Sequence, residues 1–272
     1  MNDVMKDRLA ALRRRLRPLW PWLRWGTAAL LALLLVLDFA FPPPLPKQRD
    51  TSTLVVAADG TPLRAFADAE GVWRYPASID SVSPLYLQAL LTYEDRWFWN
   101  HPGINPLAIL RASGQLLRGG RIVSGGSTLT MQVARILDPH SRTPWGKLKQ
   151  MLRAVQLEVH LSKPQILALY LERAPYGGTI EGVEAASWAY LGKPAAQLSH
   201  AEAALLAVLP QAPSRLRPDR HPEAAQKARD KVLTRMAELG AWTPEEVEDA
   251  RIENVVARSL RPPLHAALLA QR

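Results

Sequence analysis

The 272 residues carry 34 Lys and Arg against 25 Asp and Glu, a formal net charge of +9, with 48% hydrophobic residues. That length holds an anchor and either one large domain or two small ones with a real core, and the absence of cysteine excludes disulfides and thiolate catalysis. Seven basic and only two acidic residues fall within residues 1–25, so more than half of the excess precedes the first apolar run and a nucleic-acid footprint on a folded domain is not expected.

From Pro18 to Phe41 the only charges are Arg24 and Asp38, and the run from Gly26 to Leu37 is apolar on every face. This predicts a single transmembrane helix over residues 20–41. Arg24 and Asp38 lie about 21 Å apart at helical rise, so both reach toward the interfaces. Trp20, Trp22 and Trp25 gather at one boundary, and the arginines before them put the basic segment 1–19 in the cytoplasm. A cleaved signal peptide is disfavoured by that long basic preamble and by the lack of a small-x-small site after the run. Residues 42–50, with Pro42-Pro-Pro-Leu-Pro46, read as a stiff, extended linker.

Residues 53–58 and 61–66 flank Asp59-Gly60, a β-hairpin signal, and Val72–Tyr75 supplies a further strand. Helices follow. Pro84 opens one that runs through Leu87, Leu90 and Leu91 to Glu94. The pair Glu94-Asp95 stands beside Trp97, Phe98 and Trp99. Aromatic exclusion of water would raise a carboxylate pKa toward neutrality, making Glu94 the first candidate for acid–base chemistry; a solvated helix end is the plainer alternative.

Pro106 starts a helix that closes at Gly119-Gly120. Ser124–Arg135 then sets two glycines and several hydroxyls at a helix start, which suits either an anion or an unliganded cap; its spacing excludes a phosphate-binding P-loop. Pro144–Leu161 reads as one helix with Leu148, Leu152, Val155 and Val159 on its buried face. Lys147, Gln150, Ala154 and Glu158 share another face, flanked by Arg142, Lys149 and Arg153. Ser162–Gln165 is a capping box for a helix through Leu171, Tyr176-Gly177-Gly178 breaks the chain, and Glu181–Leu191 resumes as helix. Ser199–Glu202 caps a core helix over 203–209. Pro222–Leu239 forms a later helix stopped by Gly240, and Thr243–Glu246 caps one more. The sequence has no metal-ligating cluster of Cys or His.

Taken in order, Glu94-Asp95-x-x-Phe98-x-x-His101-x-Gly103, Gly125-Gly-Ser-Thr-x-Thr130-x-Gln132, Lys147 and the helix to Glu158, Ser162-Lys-x-x-Ile166-Leu-x-x-Tyr170-Leu171, and Glu202-Ala-Ala-Leu-Leu206 with Pro213-Ser214 form a set. It resembles the peptidoglycan glycosyltransferase domain of class A penicillin-binding proteins over residues 51–240. Arg173-Ala-Pro-Tyr-Gly-Gly178 and Leu209-Pro-Gln-Ala-Pro-Ser-Arg-Leu-Arg-Pro218 look like the 1C subtype. The resemblance implies a mainly α, lysozyme-like bilobal fold of head and jaw after a single N-terminal transmembrane helix, with a small β-hairpin element. Residues 241–272 would be a helical or linker remnant. No penicillin-sensitive transpeptidase motif follows, so the chain is expected to lack that domain and to resist covalent labelling by penicillin.

The implied reaction is polymerisation of lipid II into glycan strands outside the bacterial cytoplasmic membrane, the N-terminus remaining in the cytoplasm. The implied partners are lipid II, the growing glycan chain, the membrane and other cell-wall synthesis proteins. By the same resemblance, Glu94 is the general base on the acceptor 4-hydroxyl, with inversion at the donor and loss of undecaprenyl diphosphate. Arg135, Arg142 and Lys147 would face the donor phosphates, while Ser127, Thr128 and Gln132 would line the sugar and phosphate path. Gln150 stands where most relatives carry a second glutamate, and an amide cannot exchange protons. Arg229-x-x-Val232-Leu233 matches a structural motif. No cofactor is specified, although a divalent cation, Mg or Mn, accompanies the diphosphate in many relatives. Two alternatives remain: a lysozyme-like glycan-cleaving enzyme, disfavoured by the Gly-Gly-Ser-Thr motif and the cations, and a catalytically weak membrane-anchored scaffold, for which Gln150 speaks.

Overall fold

A computed structural model of the chain describes residues 20–46, 52–58, 62–68, 70–107, 114 and 126–257. Most of the helix expected over 106–120 lies outside these residues, as do Ser124, Gly125, the basic segment 1–19 and residues 258–272. The chain separates into two compact units, divided between Pro44 and Leu45.

In the first unit, α1 (Trp20–Ala40) is a helix of 21 residues coinciding with the predicted apolar run, and it contains both Arg24 and Asp38. Among the described residues, no helix is long and apolar enough to cross a membrane.

The second unit is mainly helical. It opens with β1 (Thr53–Val56) paired antiparallel to β2 (Pro62–Phe66), Thr53 opposite Phe66, as the hairpin signal predicts. The strand expected near Val72 forms as β3 (Trp73–Arg74) but belongs to a different sheet. It lies parallel to β5 (Ile180–Glu181), which also pairs antiparallel with β4 (Pro175–Gly177). The stretch from Glu181, expected to be helical, therefore starts as strand; helix begins only with α6 (Val183–Ala186) and widens into a π turn over Ser187–Leu191. Gly182 between them has φ +84, and a Cβ there would lie 2.5 Å from the Glu172 carbonyl oxygen. Close passage of the chain under another element thus ends the strand and delays the helix.

Seven further helices were foreseen by local signals, apart from the one expected over 106–120: α2 (Pro84–Glu94), α3 (Leu129–Leu137), α4 (Pro144–His160), α5 (Lys163–Arg173), α7 (His200–Val208), α8 (Pro222–Glu238) and α9 (Pro244–Ile252). Capping boxes at Ser162, Ser199 and Thr243 start α5, α7 and α9, and Gly240, in the left-handed region at φ +64, follows α8. Every residue of α7 from Ala201 to Val208 is buried, and α2, α8 and α9 pack around it. Arg229 of α8 is buried and donates to the carbonyls of Glu253 and Arg251, 2.8 and 3.3 Å away, tying down the end of α9.

The orientation of α4 reverses the expectation. Leu148, Leu152 and Val159 are 43%, 51% and 73% exposed, whereas Gly146, Gln150, Ala154 and Leu157 are buried. The small Gly146 and Ala154 permit close approach, and the polar members of this face find partners: Gln150 on the Met131 carbonyl and Glu158 on the Thr130 hydroxyl. A polar face with its hydrogen bonds satisfied is buried at little cost, and the leucine stripe is left outside.

Candidate active site

Asp95, at the C-terminal cap of α2, is buried. It accepts from His101 Nε2 at 2.9 and 3.0 Å and from the Leu129 N–H at 2.8 Å. An acceptor at the first residue of α3 satisfies one of its unpaired N–H groups, so Asp95 bolts the start of α3 to the end of α2. That bolt brings Gln132, one turn into α3, beside Glu94. Gln132 Nε2 donates to Glu94 Oε2 at 2.7 Å, and Gln211 Nε2 donates to Glu94 Oε1 at 2.6 Å.

Burial raises the Glu94 pKa; the two amide hydrogen bonds oppose the shift, and the neighbouring negative charge of Asp95 adds to it. The expected aromatic shield does not form. Trp97 and Trp99 are 53% and 51% exposed, and only Phe98 turns inward, because the chain leaves α2 in a 3-10 turn over Phe98–Asn100. The groups that share the Glu94 environment are instead Tyr86 and Tyr170, both fully buried, and Tyr93; all three hydroxyls feel its charge.

A second cluster joins α3 to α4. Lys147 Nζ donates to Ser127 Oγ at 2.5 Å and to Gln150 Oε1 at 3.1 Å, and Gln150 Nε2 donates to the Met131 carbonyl at 2.6 Å. Burial, then the positive charge of Arg135, lowers the Lys147 pKa. Thr128 caps α3, its hydroxyl accepting from the Met131 N–H at 3.1 Å and donating to the Gly103 carbonyl at 2.5 Å. Lys149 and Arg153 pair with Asp138 at 2.8 and 3.1 Å. Glu158 accepts from Thr130 and from Lys163 at 2.6 and 2.7 Å, away from the Lys147 cluster.

One cleft, with a volume of 1320 Å³, runs past both clusters. Glu94, Gln132, Arg135, Arg142 and Lys147 all line it. A carboxylate whose proton affinity is raised by burial can take a proton from a hydroxyl, and grouped cations can hold developing negative charge.

Residues 59–237 match the family model described as Transglycosylase. The chain belongs to the transglycosylase family. It is 60% identical over 236 residues to penicillin-binding protein 1C of Escherichia coli strain K12, covering 85% of this chain and 30% of that protein. It is 46% identical over 178 residues to penicillin-binding protein 1A of Aquifex aeolicus strain VF5, covering 65% of this chain and 24% of that one. The chain thus spans under a third of the length of these relatives. The crystal structure of penicillin-binding protein 1A from Haemophilus influenzae superposes with a TM-score of 0.45 at 22% identity, over 79% of this chain and 22% of that one, too loosely for any detail to be transferred.

All eight predicted site residues of this transglycosylase line the cleft, though not alike. Thr128 is buried with its hydroxyl committed to capping, and Gln150 is a buried brace for Lys147. Sequence reasoning missed Gln211. Its signal was Pro210, which marks a turn just past the core helix, but nothing local connects that turn to Glu94. Tyr170 lines the cleft but is buried, and its hydroxyl has no hydrogen-bond partner among the described residues. The donor set does not fit a resident divalent cation. No group of three or more His, Asp or Glu that could hold a metal ion occurs among the described residues, and the other cleft carboxylates, Asp95 and Glu181, are held by His101 and Arg74.

Proposed function

We propose that this transglycosylase polymerises lipid II into glycan strands as a peptidoglycan glycosyltransferase. The observation that carries the reading is Glu94, gripped at both oxygens, in the same cleft as Arg135, Arg142 and Lys147. Glu94 takes the proton from the acceptor 4-hydroxyl as its oxygen bonds to the donor anomeric carbon. The bond from that carbon to the diphosphate breaks on the opposite face, with inversion, and undecaprenyl diphosphate leaves with the electron pair. Arg135, Arg142 and Lys147 take up the charge on the departing diphosphate, Lys147 also steadying Ser127. Gln132 and Ser127 stand along the sugar and phosphate path. A positioned base supplies about 10² to 10⁴ in rate, and alignment with charge stabilisation supplies the remainder.

The same reading makes α1 a single-pass anchor in the cytoplasmic membrane, with the N-terminus inside and a two-lobed catalytic region outside. Its 21 residues reach about 32 Å, enough for a bilayer core. Arg24 and Asp38, which reduce its apolarity, sit near its two ends where they can reach the interfaces, and Leu33, Leu35, Val36 and Phe39 are exposed. The outward leucines of α4 with the exposed Trp145 would add an apolar surface for the jaw to rest on lipid.

Incubation of the chain with labelled lipid II in detergent or vesicles tests the proposal. Polymer together with free undecaprenyl diphosphate supports it. Cleavage of finished glycan would favour the lysozyme-like alternative, and binding without turnover would favour the scaffold.

A further inference from the structure

We infer that Gln211 is a positioning residue for Glu94, forming with Gln132 a two-amide clamp that aims the carboxylate into the cleft. The inference rests on the reading of Glu94 as general base. Each carboxylate oxygen receives one amide, Oε2 from Gln132 at 2.7 Å and Oε1 from Gln211 at 2.6 Å. An ionised oxygen has two lone-pair sites, so each keeps one for an incoming hydroxyl. Two grips on different oxygens also fix the terminal torsion of the side chain, which is otherwise broad.

The two amides arrive from elements far apart in sequence. Gln132 lies in α3, and Gln211 ends the 3-10 turn Leu209–Gln211, closed by a bond from the Ala212 N–H to the Leu209 carbonyl. That turn follows directly on α7, whose residues Ala201–Val208 are buried, and so gives the exposed Gln211 side chain a packed base. The clamp is made of neutral donors. It supports the ionised carboxylate without cancelling its charge, whereas a cation at 211 would lower its proton affinity and weaken it as a base. The other groups around the carboxylate are Asp95 beside it, Tyr86 and Tyr93 from α2 and Tyr170 from α5; Arg235 of α8 acts on Tyr93, which also hydrogen-bonds with Gln211. Arg135 and Lys147 face the same cleft from α3 and α4.

The test uses the full chain in detergent as wild type, Gln211→Met and Gln211→Lys. Carbon-13 NMR of glutamate-labelled protein, with the Glu94 signal identified as the one lost in Glu94→Gln, gives its titration midpoint. The pH dependence of lipid II polymerisation gives the acid limb. The clamp predicts that midpoint and limb move together, to higher pH in Gln211→Met and to lower pH in Gln211→Lys. On the acid side the Met variant should lose at least about threefold in rate, since a base acts only in its ionised fraction. Unmoved midpoints in both variants, each folded by thermal melting, would overturn the clamp. Midpoints that move in a chain that does not polymerise lipid II would uphold the clamp and remove the base role instead.

Discussion

Gln150 accepts the ammonium of Lys147 at 3.1 Å through its side-chain oxygen while its amide donates to the Met131 carbonyl at 2.6 Å. A neutral residue thereby holds a cation against Ser127 without neutralising it. Glutamate in its place would offer the oxygen but no donor for Met131.

Gln150→Leu removes the side-chain donor to the Met131 carbonyl and the oxygen that accepts from Lys147, which keeps only Ser127. Loss of one buried hydrogen-bonding partner costs about 1–3 kcal/mol, so the midpoint of urea unfolding should fall accordingly. An unchanged midpoint would show that the brace contributes nothing to the fold.

Glu94→Gln should abolish polymerisation and leave the protein folded. The pH dependence of stability carries a definite sign. The folded-state pKa of Glu94 is raised by burial, so the unfolded chain releases this proton first. Below the ordinary glutamate range both states are protonated and Glu94 adds no penalty; as pH rises from there through the raised value, the wild type loses stability that the variant keeps. Melting temperatures of the two proteins should therefore separate in favour of Glu94→Gln as pH increases, and wild-type activity should fall as pH drops through the raised value. A gap that opens in the opposite direction would refute the desolvated carboxylate.

Asp95→Ala removes the bolt between α2 and α3, leaving His101 and the Leu129 N–H without their acceptor. Each buried donor left without its acceptor costs about 1–3 kcal/mol. Activity should fall with stability, because Gln132 reaches Glu94 only while α3 is held in place. Full activity in a variant of lowered stability would separate the bolt from the site.

The outward face of α4 gives a contrast. Leu152→Gln changes an exposed position and should shift stability by no more than about 0.5 kcal/mol, whereas Leu157→Ala empties a buried position and should cost about 2–5 kcal/mol. Denaturant unfolding of both variants checks the pair, and equal losses would mean that α4 is turned the other way.

What the chain states locally is read correctly from local rules. Capping boxes at Ser162, Ser199 and Thr243, prolines at the starts of α2, α4 and α8, the β1–β2 hairpin and the apolar run of α7 from Ala203 to Val208 each depend on residues within a few positions of one another, where backbone sterics and short hydrogen bonds decide the outcome. Glu94 is legible as an acid–base candidate from the aromatic residues beside it, yet Trp97 and Trp99 are exposed, and its desolvation comes from the fold instead.

Only tertiary structure could decide which face of α4 goes inward, because burial of a polar face is favourable when another helix supplies its partners, and Met131 and Thr130 are not visible to a helix-period reading. The same holds for β3 pairing with β5 across more than a hundred residues, and for Gln211 closing on Glu94 over a comparable separation. Those contacts exist because α7 and the Asp95 bolt bring distant segments together, and no spacing rule reports on a hydrogen bond whose donor and acceptor meet only after the chain has folded.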